Sequence, residues 1–431
     1  MKPYQLFLSL LLFCLIMTGC TQKTTETGVT LPEIQSRVTT CIDSIWGEYV
    51  AENNLSYGGL AISAFTSQGL LFAKSGLTQD VNIHSFFRGA SNTKTYTASS
   101  IMLLQQRGLL NINDCITDTI PGKSDSYIPN NSDYNIPYKN QITIRQLLEH
   151  RAGVFDLTNF PIPDTCNAVY AGQNYLMFME SFFPAYTFSM DELFRVISRH
   201  QLCDFSPDSG FQYTNTGYSL LGIIIERVSG QSYQDFVSKN LLIPNSLLYT
   251  TFPLSTNSML SEPYISGKIL YNQTLIDCRK QNFSYEFAQG NLVTTSLDLL
   301  TWLKTWQKGQ AGLPLSTVQQ MRQGSGANSD YGFGTTYVNG MGYGHTGAIA
   351  GYLSFMFYSP EEDFTMLLVC NLWNMNTEES FYEQIGVLSD IFVKCKEICT
   401  GKPIRQKPDV EQLYKRLVFE AGKKPLIKAE R

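Results

Sequence analysis

Charge is sparse in this 431-residue chain: Lys, Arg, Asp and Glu together make 16% of it, and the net charge is −5. No basic excess is present to hold a polyanion, so nothing points to nucleic acid as a partner. Histidine is scarcer still. His84, His150, His200 and His345 are the four, they lie far apart, and none pairs with another at the i, i+4 spacing of a helical zinc site. The cysteine spacings suggest no metal site either, and the reading calls for no metal and no cofactor. No internal repeat is found. The apolar run Leu6 to Met17 is too short to span a bilayer as a helix.

What is present is a globular composition, 43% apolar with 24 Tyr and 26 Phe. The length suits two or three domains or one compact unit. Lys2 followed by the Leu6–Met17 run has the form of a signal-peptide core. It ends in Thr18-Gly19-Cys20, which resembles a bacterial lipoprotein signal whose Cys20 is lipidated and becomes the new N-terminus. The alternative is an ordinary secretory signal with a chance cysteine. A lipidated Cys20 would anchor the protein to a membrane of the cell envelope. The expected organisation is a signal over 1–19, a polar tether over 20–31, one domain over 32–398 and a loosely held tail over 399–431. Eight cysteines remain beyond Cys14 and Cys20. Export permits disulfides, but their connectivity is not legible.

Pattern and punctuation place the elements. Pro32 to Val50 reads as a helix, and Gly59–Phe65 with Leu70–Lys74 as a hairpin around Ser67-Gln68-Gly69. Ser91 is expected to open a helix closed by Gly108, and Asn215 to Val228 one closed by Gly230. Leu297–Trp306 and Glu379–Cys395 read as helices, and Tyr352–Tyr358 and Phe364–Cys370 as strands. Phe155 to Phe188 is an aromatic-rich insertion, either a lid packed on itself or a substrate wall. Cys166 and Cys203 flank it and are candidates for a bridge. Trp302 and Trp306 read as a core-facing stripe, and His84, His150 and His200 as structural or surface residues. The fold class is α+β, with one antiparallel sheet and helices around it.

Three clusters carry chemistry. Ser91-Asn92-Thr93-Lys94 is the only S-x-x-K in the chain. At this spacing a hydroxyl and an amine share one helix face. A helix N-terminus would favour an alkoxide on Ser91, and a buried Lys94 would exchange a proton with it. Tyr213-Thr214-Asn215 follows a Pro/Ser/Gly turn and precedes an apolar helix. Tyr138 and Tyr337 begin the same Y-x-N pattern without that context. His345-Thr346-Gly347 leads into an apolar strand, with Gly347 expected to let a ligand approach the backbone.

In this order the clusters resemble the serine β-lactamase and penicillin-binding-protein superfamily, nearest the class C β-lactamase and D-alanyl-D-alanine carboxypeptidase branch with its esterase relatives. "ITIRQLLEHRAGV" and "AQGNLVTTSLDLLTWL" resemble two further family segments, with Ala152 and Asn291 departing from the usual residues. The resemblance implies a central sheet with a mainly helical subdomain and a hydrolase acting through an acyl-enzyme on a small-molecule or peptide substrate. It makes Ser91 the nucleophile, Lys94 its proton partner and Tyr213 the general base, and counts His345 with them among the catalytic residues. It gives Asn215, Thr346 and Gly347 to substrate binding and the backbone N–H groups of Ser91 and Ala348 to an oxyanion hole. His345 stands where the family often has lysine, which weakens attraction for a substrate carboxylate and favours a peptidase or esterase over a β-lactamase. The favoured substrate is a D-amino-acid or muropeptide-type peptide; an esterase, a weak β-lactamase and a non-turnover muropeptide- or β-lactam-binding lipoprotein are the rivals. No carboxylate is evident for the water-activating role it plays in class A enzymes.

Overall fold

The computed structural model describes residues 28–324 and 331–421. The signal segment, Cys20 and most of the tether lie outside the described residues. Helix α1 (Leu31–Glu52) precedes the hairpin β1 (Leu60–Thr66) and β2 (Gly69–Ser75), then β3 (Phe86–Ala90) and α2 (Thr93–Gln106). The helical part follows, with α3 (Ile144–Leu148), α4 (Tyr175–Phe182), α5 (Met190–His200), α6 (Asn215–Ser229) and α7 (Tyr233–Val237). Next come β4 (Lys268–Tyr271), β5 (Thr274–Asp277), β6 (Leu292–Thr295), α8 (Ser296–Gln307) and α9 (Leu315–Arg322). The chain then forms β7 (Thr336–Val338), β8 (Gly342–Ile349), β9 (Tyr352–Ser359), β10 (Phe364–Cys370), β11 (Leu372–Asn374), α10 (Glu378–Thr400) and α11 (Val410–Ala421).

Six strands form one antiparallel sheet in the order β2-β1-β10-β9-β8-β7. Its central strands are buried on both faces, and the period-2 alternation of side chains divides them between two cores. Phe355 and Phe357 of β9 pack with Trp46 of α1 and Phe392 of α10, while Met356 and Tyr358 face the core that holds α2, α6 and α8. β1 and β10 pair from Leu60↔Cys370 to Phe65↔Thr365, so the first and last thirds of the chain close the sheet together. The hairpin register Thr66↔Gly69 leaves Ser67 and Gln68 as the turn.

One expectation changes. Residues from 401 onward read as a loose tail, yet α11 sets Leu413 into the core at 1% exposure and rests the Tyr414 ring against Phe381 and Tyr382. One buried leucine in a Lys/Arg-rich run is too weak a periodic signal to announce a helix. All eight described cysteines are free thiols, Cys166 and Cys203 among them. The aromatic insertion packs on itself, as the ring pairs Tyr170–Tyr175, Phe178–Phe182 and Tyr186–Phe188 show. Trp302 and Trp306 are fully buried and stacked at 5.9 Å.

Candidate active site

β3 runs into α2 through a sharp corner. Ala90, the last strand residue, has φ +49, a conformation a Cβ disfavours. The corner sets Ser91 one residue before the N-cap, so α2 opens at Thr93 rather than at Ser91. The Ser91 carbonyl accepts the Lys94 N–H at 2.9 Å, which keeps the serine against the positive end of the helix. Every residue from Thr93 to Leu104 is buried, and its polar side chains turn back on the chain. Thr93 donates to the Ala90 carbonyl at 2.7 Å, and Thr97 to the Ala288 carbonyl at 2.7 Å.

Lys94 is fully buried, and its ammonium donates to three oxygens: Ser91 Oγ at 3.1 Å, Asn215 Oδ1 at 2.7 Å and the Gln289 carbonyl at 2.9 Å. Nζ also lies 4.7 Å from the centre of the Tyr213 ring. Asn215 is held in turn, its Nδ2 donating to Thr158 Oγ1 at 3.0 Å and its N–H to Asp156 at 3.3 Å. Thr214 caps α6 by accepting the Gly217 N–H at 3.3 Å. The loop that carries Tyr213 is therefore fixed by the helix behind it. Tyr213 is 4% exposed, against 42% for Tyr138 and 38% for Tyr337.

His150 braces that loop from behind. Its Nδ1 accepts the Thr214 N–H at 3.1 Å, so the neutral ring carries its proton on Nε2. The ring is packed between Tyr213 at 4.3 Å, Tyr331 at 4.7 Å and Tyr218 at 4.9 Å. Burial, then Lys94 and His345, hold its pKa well below the usual 6.5. The sequence marked His150 as structural; its position shows that the part it structures is the Tyr213 loop.

The opposite wall is β8. β7 pairs with β8 only at Gly342–Gly344, while β9 pairs along it to Ile349. The stretch beyond Gly344 runs past the Ser91 corner. A Cβ on Gly347 would meet the Gly89 carbonyl at 2.4 Å and Asn92 Nδ2 at 2.8 Å. The close approach that Gly347 serves is thus to the protein's own backbone, and it brings Ala348 alongside the nucleophile turn. His345 and Thr346 are each 1% exposed. His345 Nδ1 donates to the Thr346 carbonyl at 2.5 Å, and its Nε2 meets the Tyr331 hydroxyl at 3.0 Å. Its ring centre lies 6.3 Å from that of Tyr213.

The structure brings Ser91, Lys94, Tyr213, Asn215, His345, Thr346, Gly347 and Ala348 to one place. It adds groups that spacing did not reveal. Gln289 supplies a carbonyl to Lys94, and Tyr331 bonds His345. Two carboxyls, Asp156 and Glu286, lie within electrostatic reach of Lys94, where the sequence offered none. Burial raises both; Glu286 is pushed up to about 7, with Asp156 adding to the rise and Lys94 opposing it. No local motif marks either residue.

A sequence model of the family described as Beta-lactamase matches residues 51–384. The chain is 24% identical over 354 residues to "Penicillin-binding protein 4*" of Bacillus subtilis (strain 168), a match covering 77% of this chain and 69% of that one. "Protein flp" of Staphylococcus aureus (strain N315) is 25% identical over 290 residues, 66% of this chain and 52% of that one, so the chain spans about half the length of this relative. Among solved structures, the D-stereospecific amidohydrolase from Streptomyces sp. superposes with TM-score 0.62 at 23% identity, covering 81% of this chain and 97% of that one. The D-amino acid amidase from Ochrobactrum anthropi SV3, in complex with L-phenylalanine amide, gives TM-score 0.64 at 21% identity, with 84% and 99% covered. Both are likenesses of fold. The family match runs unbroken over the Ser91 corner, the Tyr213 loop and the β8 wall, and the chain belongs to the β-lactamase family, within the serine-hydrolase superfamily that includes the penicillin-binding proteins.

Proposed function

We propose that this protein is a serine hydrolase that forms an acyl-enzyme on Ser91 and acts on an amide or ester, with a D-amino-acid or muropeptide-type peptide as the favoured substrate. The observation that carries the reading is the Lys94 ammonium, 3.1 Å from Ser91 Oγ and pinned by Asn215 and Gln289. Ser91 Oγ attacks the carbonyl carbon. Its proton passes to Tyr213, whose phenolate the adjacent Lys94 charge stabilises. The N–H groups of Ser91 and Ala348 take the developing oxyanion. The proton then goes to the leaving amine or alcohol, and water releases the acyl group by the same route in reverse. The complex of the Ochrobactrum amidase with L-phenylalanine amide supports an amide substrate.

A labelled fluorophosphonate or penicillin followed by a chase tests this, alongside a panel of D-Ala-D-Ala peptide, D-amino acid amide, short-chain ester and nitrocefin. Label that forms on wild type, is lost in the chase and never forms on Ser91→Ala supports turnover at Ser91. Persistent label means binding without turnover, and no label ends the reading.

The same proposal places the enzyme at the cell envelope, anchored through a lipid on Cys20 and supported by the apolar run that ends in Thr18-Gly19-Cys20. Fractionation of cells expressing Cys20→Ala tests it: release from the membrane fraction is expected, and normal processing with full membrane retention overturns the anchor.

A further inference from the structure

A D-amino-acid substrate of this reaction can carry charge in two places, a free carboxylate beyond the scissile bond or a free amine on the acyl side. The basic groups of the site are engaged. Lys94 donates to Ser91, Asn215 and Gln289, and His345 bonds the Thr346 carbonyl and the Tyr331 hydroxyl. Asp156 is also occupied, accepting from Thr158 Oγ1 at 2.7 Å, Asn159 Nδ2 at 2.8 Å and the Asn215 N–H at 3.3 Å.

Glu286 differs from all of these. It is half-buried, yet no donor among the described residues reaches either carboxylate oxygen. Its Oε2 lies 2.1 Å from where a Cβ on Gly290 would stand, so the carboxylate folds over Gly290 into the place a side chain would take. The residue before that glycine is Gln289, whose carbonyl takes Lys94 Nζ at 2.9 Å. Ser91 Oγ bonds the same nitrogen at 3.1 Å. The nucleophile and the Gln289-Gly290 backbone are therefore close neighbours, with the Glu286 carboxylate lying on the second of them.

The amine of an amino acid sits on the carbon next to the carbonyl that Ser91 attacks. Lys94 Nζ joins Ser91 Oγ to Asn215 and the Gln289 carbonyl, and the Glu286 carboxyl lies within its electrostatic reach, so this is the side of Ser91 on which a charged α-substituent of the acyl group would find a partner. A partly desolvated carboxylate without a donor is costly to keep, and an ammonium repays that cost with a charge-assisted hydrogen bond. We propose that Glu286 docks a free ammonium on the acyl part of the substrate, which makes the preferred substrates amides of unblocked amino acids and peptides hydrolysed behind a free N-terminal residue. This deepens the Ser91 acyl-enzyme reading and rests on it.

The test compares D-phenylalanine amide with N-acetyl-D-phenylalanine amide, and uses fluorophosphonate labelling of Ser91 as a separate measure of a competent nucleophile. In wild type, kcat/KM is expected to favour the free amine by about tenfold to a hundredfold, the range of a hydrogen bond to a charged group. Glu286→Gln should collapse that ratio toward one, mainly through KM, and Glu286→Asp should keep part of it. A wild type that takes the label but hydrolyses both amides equally overturns the ammonium site, whatever the variants do. So does an equal loss on both amides in Glu286→Gln, which would make Glu286 a base or a purely structural residue. A wild type that neither takes the label nor hydrolyses any ester or amide overturns the acyl-enzyme reading itself, and the ammonium site with it.

Discussion

Lys94 and His345 are both buried basic side chains at one site, on a helix and on a strand, and they are held in opposite ways. Lys94 rises from the first turn of a helix into acceptors alone, one of them the nucleophile. His345 lies on a strand and is clamped between a backbone carbonyl and a tyrosine hydroxyl. A cation that hydrogen-bonds the reacting oxygen and lies beside the Tyr213 ring is placed to steer the proton passing between them. A side chain whose two nitrogens both bond the protein is placed to hold a wall in shape. The β8 wall thus reads as a rigid backbone edge and the α2 wall as the proton-handling side.

The comparison breaks first at the α2 wall. Ser91→Ala and Lys94→Met are each expected to lower kcat by about ten-thousandfold or more, because groups that act as a unit fail together; active-site titration with single-turnover kinetics would show it. A Lys94→Met enzyme that acylates at near wild-type rate would remove the distinction between the walls. Tyr213→Phe comes next, with an expected loss of about a hundredfold to ten-thousandfold in acylation rate. Tyr138→Phe and Tyr337→Phe, both exposed residues, should stay near wild type, and a Tyr213→Phe enzyme that does the same would sink the assignment.

The β8 wall should break by shape. Gly347→Ala forces a methyl against the Gly89 carbonyl and Ser354 Oγ. Pushing β8 off the Ser91 corner is expected to cost about 1–3 kcal/mol of stability, together with a fall in kcat while KM changes little. Thermal unfolding and steady-state kinetics on one preparation would reveal a neutral result if it occurs. Replacing His345 with Lys tests the electrostatic side of that wall. If His345 sets carboxylate recognition, the variant should raise acylation by β-lactams and flatten the pH difference between a carboxylate substrate and a neutral ester. Identical profiles in both proteins would leave His345 a structural clamp.

The smallest expected effect is on stability against pH. His150 is held neutral well below pH 6.5 in the fold but takes a proton below about that pH when unfolded, so its contribution is present above pH 6.5 and is lost as the pH falls. Glu286 has the opposite sign. Its folded value near 7 stands above the ordinary 4.5, so the folded state holds the extra proton and stability is lost as pH rises between those values. Melting curves from pH 4.5 to 7.5 should show a shallower acid-side loss in His150→Gln and a shallower loss toward neutrality in Glu286→Gln. Parallel curves for all three proteins would contradict both assignments.

Much of the framework was legible because its signals are local. Gly230 closes α6 with φ +69, as the stop after an apolar helix requires. The Ser67-Gln68 turn and the apolar runs of β9 and β10 likewise follow from neighbours in sequence. Ser91-x-x-Lys94 was legible because one helical turn joins the pair. The start of α2 was misplaced by two residues because the corner depends on Ala90 taking a positive φ, which alanine does not advertise. The helix α11 was missed because its one described buried leucine gains its meaning only from the α10 surface beneath it.

By itself, the sequence determined the order of the three motifs, the types of side chain they bring and the elements that carry them, since caps, turns and periodicities act over a few residues. Only the tertiary structure decided what those side chains meet. Lys94 finds its acceptors 121 and 195 positions away, His345 finds Tyr331 across a bend, and Glu286 reaches the site by folding over a glycine four residues on. A hydrogen bond or a desolvated charge depends on a few ångströms of separation, and that separation is set when sheet and helices close on one another, not by distance along the chain.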